Sequence, residues 1–295
     1  MEIQKNVPLH DYAWWKIGGP ADWFCAPTSI EEVKQAYDFA RENNLKVTIL
    51  GGATNVLISD QGIEGLTIST RGLRGTSVAE REGRVVIEAW AGTPKSELTK
   101  IFLQRRLAPA LFLCGLPGDV GGGIVMNAGV GEAIRPREFV ELVDWVEVLD
   151  SQSLQIRQFQ RDELHWEYRH SSGWQPGMVV RAGLSWPSEP EPDISRRVTE
   201  ATKNRRTRQP LELPSCGSTF KNPPNGKSGA LIEQAGLKGL QVGQAQVSTK
   251  HANFIVNLGG ARAADVDQII RTVQDTVEKK SGVKLECEVR YLGRW

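Results

Sequence analysis

The sequence predicts an α+β protein built from two or three compact units. Three observations point there: helix-like and strand-like stretches do not alternate as regular βαβ repeats, two glycine-rich loops follow apolar runs, and a proline-rich break lies late in the chain. A length of 295 residues suits that count, since domains commonly run to ~100–200 residues. Lys and Arg number 36 against 35 Asp and Glu, a formal charge of +1. No overall field therefore recruits polyanions, and nucleic acid is not an expected partner. No apolar stretch approaches the ~20 residues that cross a bilayer, and MEIQKNVPLHDYAWW lacks a basic-then-apolar leader pattern. The expectation is a cytoplasmic protein without membrane insertion. Cys25, Cys114, Cys216 and Cys287 are scattered, with no C-x-x-C pair or metal-ligand spacing. Reduced thiols are expected, with neither a disulfide framework nor a bound metal.

The elements follow from local pattern. Ser29 with Glu32 makes a capping-box pattern ahead of a helix ending near Asn44, and KVTIL (46–50) reads as a buried strand. Further strands are expected at 66–69, 85–89, 142–149 and 178–186, where apolar and β-branched residues cluster between turn formers. Thr93 as cap and Pro94 at the first helical position predict a helix to about Arg106. Pro187-Ser188-Glu189-Pro190-Glu191-Pro192 then interrupts the pattern, which makes it the best candidate boundary. Beyond it come a basic helix over 194–208, helices near 228–235 and 263–280, and a closing strand at 284–292.

Two loops carry the first chemical signal. LGGATNVLI (50–58) sets small residues and Asn between apolar strands, where glycine permits positive φ and lets backbone N–H groups converge on an anion such as a pyrophosphate. LCGLPGDVGGG (113–123) repeats the theme and leads into IVMNAG (124–129). Either loop alone reads equally well as a tight chain reversal, whereas the pair can hold one extended dinucleotide. Neither fits G-x-G-x-x-G opening a helix in a βαβ unit, nor G-x-x-x-x-G-K-[ST].

KIGGPAD (16–22), LGGATN (50–55), GLPGDVGGG (115–123), MNAG (126–129), YR (168–169), GSTFKNP (217–223), AGLKG (235–239), HANFIVN (251–257) and LECEVR (285–290) stand in an order that resembles the UDP-N-acetylenolpyruvoylglucosamine reductase family, from about residue 7 to 293. The resemblance implies a two-lobed FAD-binding domain of the vanillyl-alcohol-oxidase (PCMH) type, with lobes at 1–70 and 71–190. A smaller α+β substrate-binding domain at 193–295 would close over the flavin, its C-terminal strand contributing to the active site. It further implies non-covalent FAD, NADPH as co-substrate and UDP-N-acetylglucosamine-enolpyruvate as substrate, giving UDP-N-acetylmuramate for peptidoglycan. Cell-wall biogenesis, cell shape and cell division follow, and a monomer is expected. The short run after YRHSS (168–172) is similar to the shorter subtype, which lacks an extra tyrosine loop. Cofactor contacts fall on Gly51, Gly52, Ala53, Thr54, Asn55, Leu116, Pro117, Gly118, Gly122 and Gly123. Departures from the family pattern are Ala53-Thr54 for Gly-Ser, Asp119, a shortened VGEAI (130–134), and Cys216 and Cys287 where Ala and Pro are usual.

The reaction that the resemblance implies assigns roles. Hydride addition to an enolpyruvyl double bond leaves an enolate-like carboxylate that needs cationic support, and a neighbouring carbon that needs a proton. Ser218 corresponds to the family's proton donor, although a Ser in a glycine-containing loop is ordinarily a turn former. Arg169 matches the arginine of the YR motif, whose planar fork suits a carboxylate. Glu288 corresponds to the second glutamate of the L-E-x-E-V-R pattern. Period-two alternation puts Glu286 and Glu288 on one face, and that pattern alone would leave the face solvated. Tyr168, Lys221, Asn222 and His251 are the substrate-binding candidates, with Arg206 a weaker one.

The basic run 203–208 reads more simply as a solvated helix end. Trp14-Trp15 reads as core or interface rather than as a stacking platform. Cys216 and Cys287 flank the candidate residues and raise the hypothesis of a redox-sensitive pair. Two other functions compete. One is an alcohol or sugar oxidase of the same fold, often tethering FAD through histidine, yet His10, His165, His170 and His251 all lie outside the glycine loops. The other is a nucleotide-sugar-binding regulator without catalysis.

Overall fold

The structure, a computed structural model, describes residues 1–130, 136–224 and 226–295. The VGEAI stretch, beyond Val130, lies outside the described residues. Two units make up the chain: Met1–Ile3, Phe24–Gly52 and Leu66–Lys203 form one, and Gln4–Trp23, Ala53–Gly65 and Asn204–Trp295 form the other. The first unit runs on past the proline-rich segment, whose Ser188 and Glu191 N–H groups donate to Gly83 O and Arg106 O at 2.9 and 2.7 Å.

An apolar run with few breaks suits a strand flanked on both edges, and Gly177–Pro187 is such a strand. It pairs antiparallel with Arg84–Trp90 on one side and Val143–Asp150 on the other, in a five-stranded sheet completed by Thr76–Arg81 and Ile156–Gln160. Helix α1 (Ile30–Glu42) precedes the parallel pair of Val47–Leu50 with 66–69. Helices α2 (Lys95–Gln104), α3 (Pro109–Leu113) and α4 (Val120–Val125) pack Leu98, Phe102, Phe112 and Ile124 with Ile87, Val146 and Leu184 into one core. Alternating with these core residues, Arg181 sits 5.6 and 5.7 Å from the Trp90 and Trp145 rings and pairs with Glu147 at 2.9 Å.

Two helix starts differ from the sequence expectation. Ser29 caps α1, accepting from Glu32 N at 3.2 Å, but the Glu32 carboxylate bonds the Thr28 N–H and hydroxyl at 2.7 and 2.9 Å, so only half of the capping box forms. Thr93 does not cap α2, because its hydroxyl is engaged by Gly75, accepting from N at 3.1 Å and donating to O at 3.0 Å. Pro94 takes the cap position instead.

Helix α5 (Ile194–Arg208) carries the chain from one unit into the other and matches the basic helix expected, with only Ile194 buried. In the second unit, α6 (Ser228–Gln234) and α7 (Ala263–Ser281) accompany a three-stranded antiparallel sheet of Gln241–Val242, Ala245–Val247 and Ile255–Asn257. Val247, Ile255, Ile269 and Val273 form its core with Trp15, which is 1% exposed. The Trp15 indole N–H donates to Ile255 O at 2.7 Å, and Asn257 donates to Trp15 O at 2.8 Å. Trp15 is therefore core, while Trp14 is exposed. Asp60 caps α7 by accepting from Ala263 N and Ala264 N at 2.8 and 3.0 Å.

The closing strand expected over 284–292 is shorter. Only Arg290–Leu292 is a strand, parallel to Val56–Ile58, because the preceding residues follow the 219–221 loop through a single bridge at Phe220 and Cys287. No described helix is long and apolar enough to cross a membrane.

Candidate active site

Glycine starts the candidate catalytic loop. Gly217 has φ +75°, a left-handed conformation that side chains disfavour, and it turns the chain into half-buried Ser218. The next residues are fixed by Asn253 of the HANFIVN motif, 4% exposed. Its backbone O accepts from Thr219 N at 2.8 Å, its Oδ1 accepts from Phe220 N at 2.9 Å, and its Nδ2 donates to Phe220 O at 2.8 Å. Across from this loop, Glu288 N donates to Thr219 O at 2.8 Å and Lys221 N donates to Glu286 O at 2.9 Å. Residues 218 and 288, seventy apart in sequence number, thus come to neighbouring places in one unit. The Asn55 side chain joins them, donating to Glu288 O at 3.0 Å, while Arg290 N donates to Asn55 O at 3.0 Å. Glu286 points elsewhere: its side chain is 70% exposed and pairs with Lys221 Nζ at 2.5 Å.

Two stability predictions arise from this loop. Asn253→Ala strips partners from the Phe220 N–H and C=O together and is expected to cost about 2–4 kcal/mol, read as a lower midpoint in chemical denaturation. Thr219 is 0% exposed and its hydroxyl has no partner among the described residues. Thr219→Val is therefore expected to stabilise the folded protein by about 1 kcal/mol in the same measurement, since it removes an unpaired buried hydroxyl.

Lys221, Asn222 and His251 lie against α6. Asn222 Oδ1 accepts from Ser228 N at 3.1 Å, and the Ser228 hydroxyl donates to Lys221 O. His251 packs edge-on against Phe254 at 4.8 Å, and its Nδ1 accepts from Asn253 N at 3.3 Å. Burial, and secondarily the nearby Lys238 charge, hold the His251 pKa below the usual histidine value, so at neutral pH it offers a hydrogen bond rather than a charge. Arg206 is exposed on α5. The Cys216 thiol donates to Val56 O at 3.4 Å, and the Cys287 thiol lies 3.4 Å from Val289 O. Burial pushes these thiols up to about 12 and about 11. That direction lowers the thiolate fraction at neutral pH, so neither thiol has the activation that a redox-sensitive pair calls for.

The first unit holds the glycine loops. A Cβ on Gly52 would sit 2.9 Å from Gly118 Cα, and one on Gly51 would sit 3.0 Å from the Asp119 carboxylate, so the two backbones approach where side chains have no room. Gly118 has φ +90°. Asp119, a departure from the family pattern, caps α4: it accepts from Gly122 N at 2.8 Å and from the Thr70 hydroxyl at 3.0 Å. Gly123 lies against the Phe139 ring, which a Cβ would approach to 2.9 Å, and Leu116 packs on the core. The first loop continues into the second unit at Ala53, itself at φ +53°, then half-buried Thr54 and Asn55. Two glycine loops brought together backbone to backbone, without side chains between them, fit the diphosphate-binding part of a site for the FAD that the resemblance implies.

Arg169 is placed by a hairpin. Glu167 pairs with His170, leaving Tyr168 and Arg169 as its two turn residues, and Arg169 takes φ +59°. Its guanidinium lies 4.6 Å from the Tyr168 ring centroid and donates to Gly129 O at 3.0 Å. A Cβ at 129 would come within 2.9 Å of Arg137 O, a backbone atom that cannot swing away, and within 2.6 Å of the Arg169 fork. Asn127, fully buried, donates to Glu167 O and to Glu138 Oε2, both at 3.1 Å, and accepts from Val140 N at 3.1 Å. The MNAG quartet therefore seats the arginine hairpin, a positioning role that sequence reasoning missed. The quartet itself was the signal available.

Sequence reasoning also passed over Lys95. It opens α2, is 3% exposed, donates its N–H to Gly118 O at 2.9 Å and holds Nζ 5.9 Å from the Phe139 ring centroid. Burial lowers its pKa to about 8, with the Asp119 charge opposing that shift and the Arg169 charge reinforcing it. Among the described residues no cluster of three His, Cys, Asp or Glu could hold a metal ion.

Comparison with known proteins matches residues 21–157 to the FAD binding domain and residues 209–292 to the UDP-N-acetylenolpyruvoylglucosamine reductase C-terminal domain. The UDP-N-acetylenolpyruvoylglucosamine reductase of Synechococcus sp. (strain RCC307) is 40% identical over 300 residues, covering 99% of this chain and 95% of its own. That of Limosilactobacillus fermentum is 40% identical, covering 100% of this chain and 95% of its own. The crystal structure of the Thermus caldophilus reductase superposes with a TM-score of 0.81 at 33% identity, covering 99% of each chain.

Proposed function

The chain belongs to the UDP-N-acetylenolpyruvoylglucosamine reductase family, and on that premise we infer that it is an FAD-dependent oxidoreductase reducing the enolpyruvyl group of UDP-N-acetylglucosamine-enolpyruvate to UDP-N-acetylmuramate with NADPH, for peptidoglycan synthesis. The observation that carries the reading at residue level is the pairing of Glu288 with the Ser218 loop, held by Asn55 of the cofactor motif. FAD would supply the hydride carrier between NADPH and the double bond, and Gly51, Gly52, Ala53, Thr54, Asn55, Leu116, Pro117, Gly118, Gly122 and Gly123 would hold it without covalent attachment.

The chain's own residues do the rest. As the terminal carbon gains hydride, charge moves onto the substrate carboxylate, and Arg169 neutralises it through a planar fork seated on Gly129. The Ser218 hydroxyl, presented by the turn at Gly217, gives its proton to the neighbouring carbon. Glu288 belongs with Ser218 in the acid and charge-stabilising set of the site. Tyr168, Lys221, Asn222 and His251 orient the UDP-sugar, Lys221 while paired with Glu286. Residues 1–70 and 71–190 act as the two lobes of a cofactor domain of the vanillyl-alcohol-oxidase type, and 193–295 as the substrate domain. The same reading makes the enzyme a cytoplasmic monomer serving cell shape and division, a state that light scattering in solution tests.

Rapid mixing tests the reaction. NADPH is expected to bleach the flavin, and the enolpyruvyl UDP-sugar to restore its colour without oxygen. A flavin that only oxygen reoxidises would contradict the reading.

A further inference from the structure

Burying an ammonium is costly unless an anion answers it. Lys95 has that cost and little answer. Its side chain is 3% exposed, and it stands in the first turn of α2, where the helix dipole disfavours a cation. No carboxylate oxygen among the described residues lies within 4.0 Å of its Nζ. Asp119 is the nearby negative charge, and both its oxygens are already engaged, one by Gly122 N and one by the Thr70 hydroxyl. Arg169 adds a second positive charge to the same neighbourhood. Yet the Lys95 backbone is bonded to Gly118, at the point where Gly51 and Gly52 meet Gly118 and Asp119.

We propose that Lys95 is a charge-positioning residue of the cofactor site, its buried ammonium compensating the negative charge that FAD brings to the junction of the two glycine loops. This rests on the reading of the chain as an FAD enzyme. Binding of the dianionic cofactor then favours protonated Lys95. Its pKa of about 8 in the ligand-free protein rises on binding. The sign follows: the gain in FAD affinity is complete below that pKa and is lost as pH rises through the higher pKa of the complex. Each unit of rise is about tenfold in affinity.

The test titrates apo-protein with FAD by quenching of flavin fluorescence from pH 6.5 to 9.5, in wild type, Lys95→Met, Lys95→Arg and the double variant Lys95→Met/Asp119→Asn. At the acid end Lys95→Met is expected to bind FAD about tenfold more weakly, with the two curves converging above pH 8. Calorimetry in two buffers of different ionisation enthalpy should show wild type taking up a fraction of a proton per FAD near pH 8, and Lys95→Met none. Lys95→Arg should restore the affinity without the proton uptake, which a purely structural role would not separate. The proposal is overturned if Lys95→Met matches wild type at low pH. The double variant, which keeps the wild-type net charge at the junction, should regain part of the affinity, and the proposal is also overturned if the loss in Lys95→Met is equal at pH 6.5 and 9.5, because it then does not come from the ammonium. Should Lys95→Met not fold, the proton count of wild type and the affinity of Lys95→Arg decide. Wild-type apo-protein that fails to bind FAD at any pH sinks the cofactor reading itself, a different result.

Discussion

In the Ser218→Ala protein, NADPH is expected to bleach the flavin at close to the wild-type rate, while the enolpyruvyl substrate restores the colour ~100-fold more slowly or worse, the scale of general-acid loss. The asymmetry follows from where the hydroxyl stands. Ser218 follows a glycine at φ +75°, and the residues after it are pinned by Asn253 and Glu288 backbone bonds, so deleting one oxygen leaves the loop in place. Only the half-reaction that needs a proton at carbon then suffers. Stopped-flow absorbance measured separately for each substrate gives the two rates. Equal slowing of both would mean that Ser218 supports the loop rather than the chemistry.

Arg169→Lys is expected to lower kcat/KM for the enolpyruvyl substrate by ~100-fold if Arg169 has the proposed role, because a point charge would replace a fork able to bond a carboxylate through two parallel N–H groups. The backbone has little reason to change. Residue 169 is the second turn position of a hairpin, and the Tyr168 neighbour is exposed. Flavin reduction by NADPH and the thermal midpoint should both stay near wild type, which separates a lost substrate contact from a damaged hairpin. A lysine variant with nearly full kcat/KM would remove Arg169 from the carboxylate.

What the sequence made legible, and what it hid, divides along physical lines. Strands of the five-stranded sheet announce themselves because burial on both faces of Gly177–Pro187 demands an apolar run that pattern detects. The basic helix is bounded sharply because prolines end at 192 and the charged face needs no partner. Thr93 misleads because a hydroxyl that can cap a helix can equally bond a distant backbone group, and Gly75 wins it. The motif asparagines show the same limit: Asn127 and Asn253 stand out in the sequence, but which backbone atoms they clamp depends on segments far away in the chain. Lys95 is the extreme case. A lysine in the first turn of a helix reads as solvated, and only the packing of other segments around it makes it buried.

The second unit is assembled from three separate stretches, 4–23, 53–65 and 204–295. During translation the two early stretches leave the ribosome long before Arg290–Leu292, the strand that pairs with Val56–Ile58, has been made. Trp15, Ile17 and Leu57, each nearly sealed from water in the finished protein, spend that interval without their core. Such late, long-range closure slows folding and exposes sticky surface in the nascent polypeptide. The interval should leave its mark as chaperone dependence during biosynthesis, greatest for ribosome-bound chains stalled before residue 204.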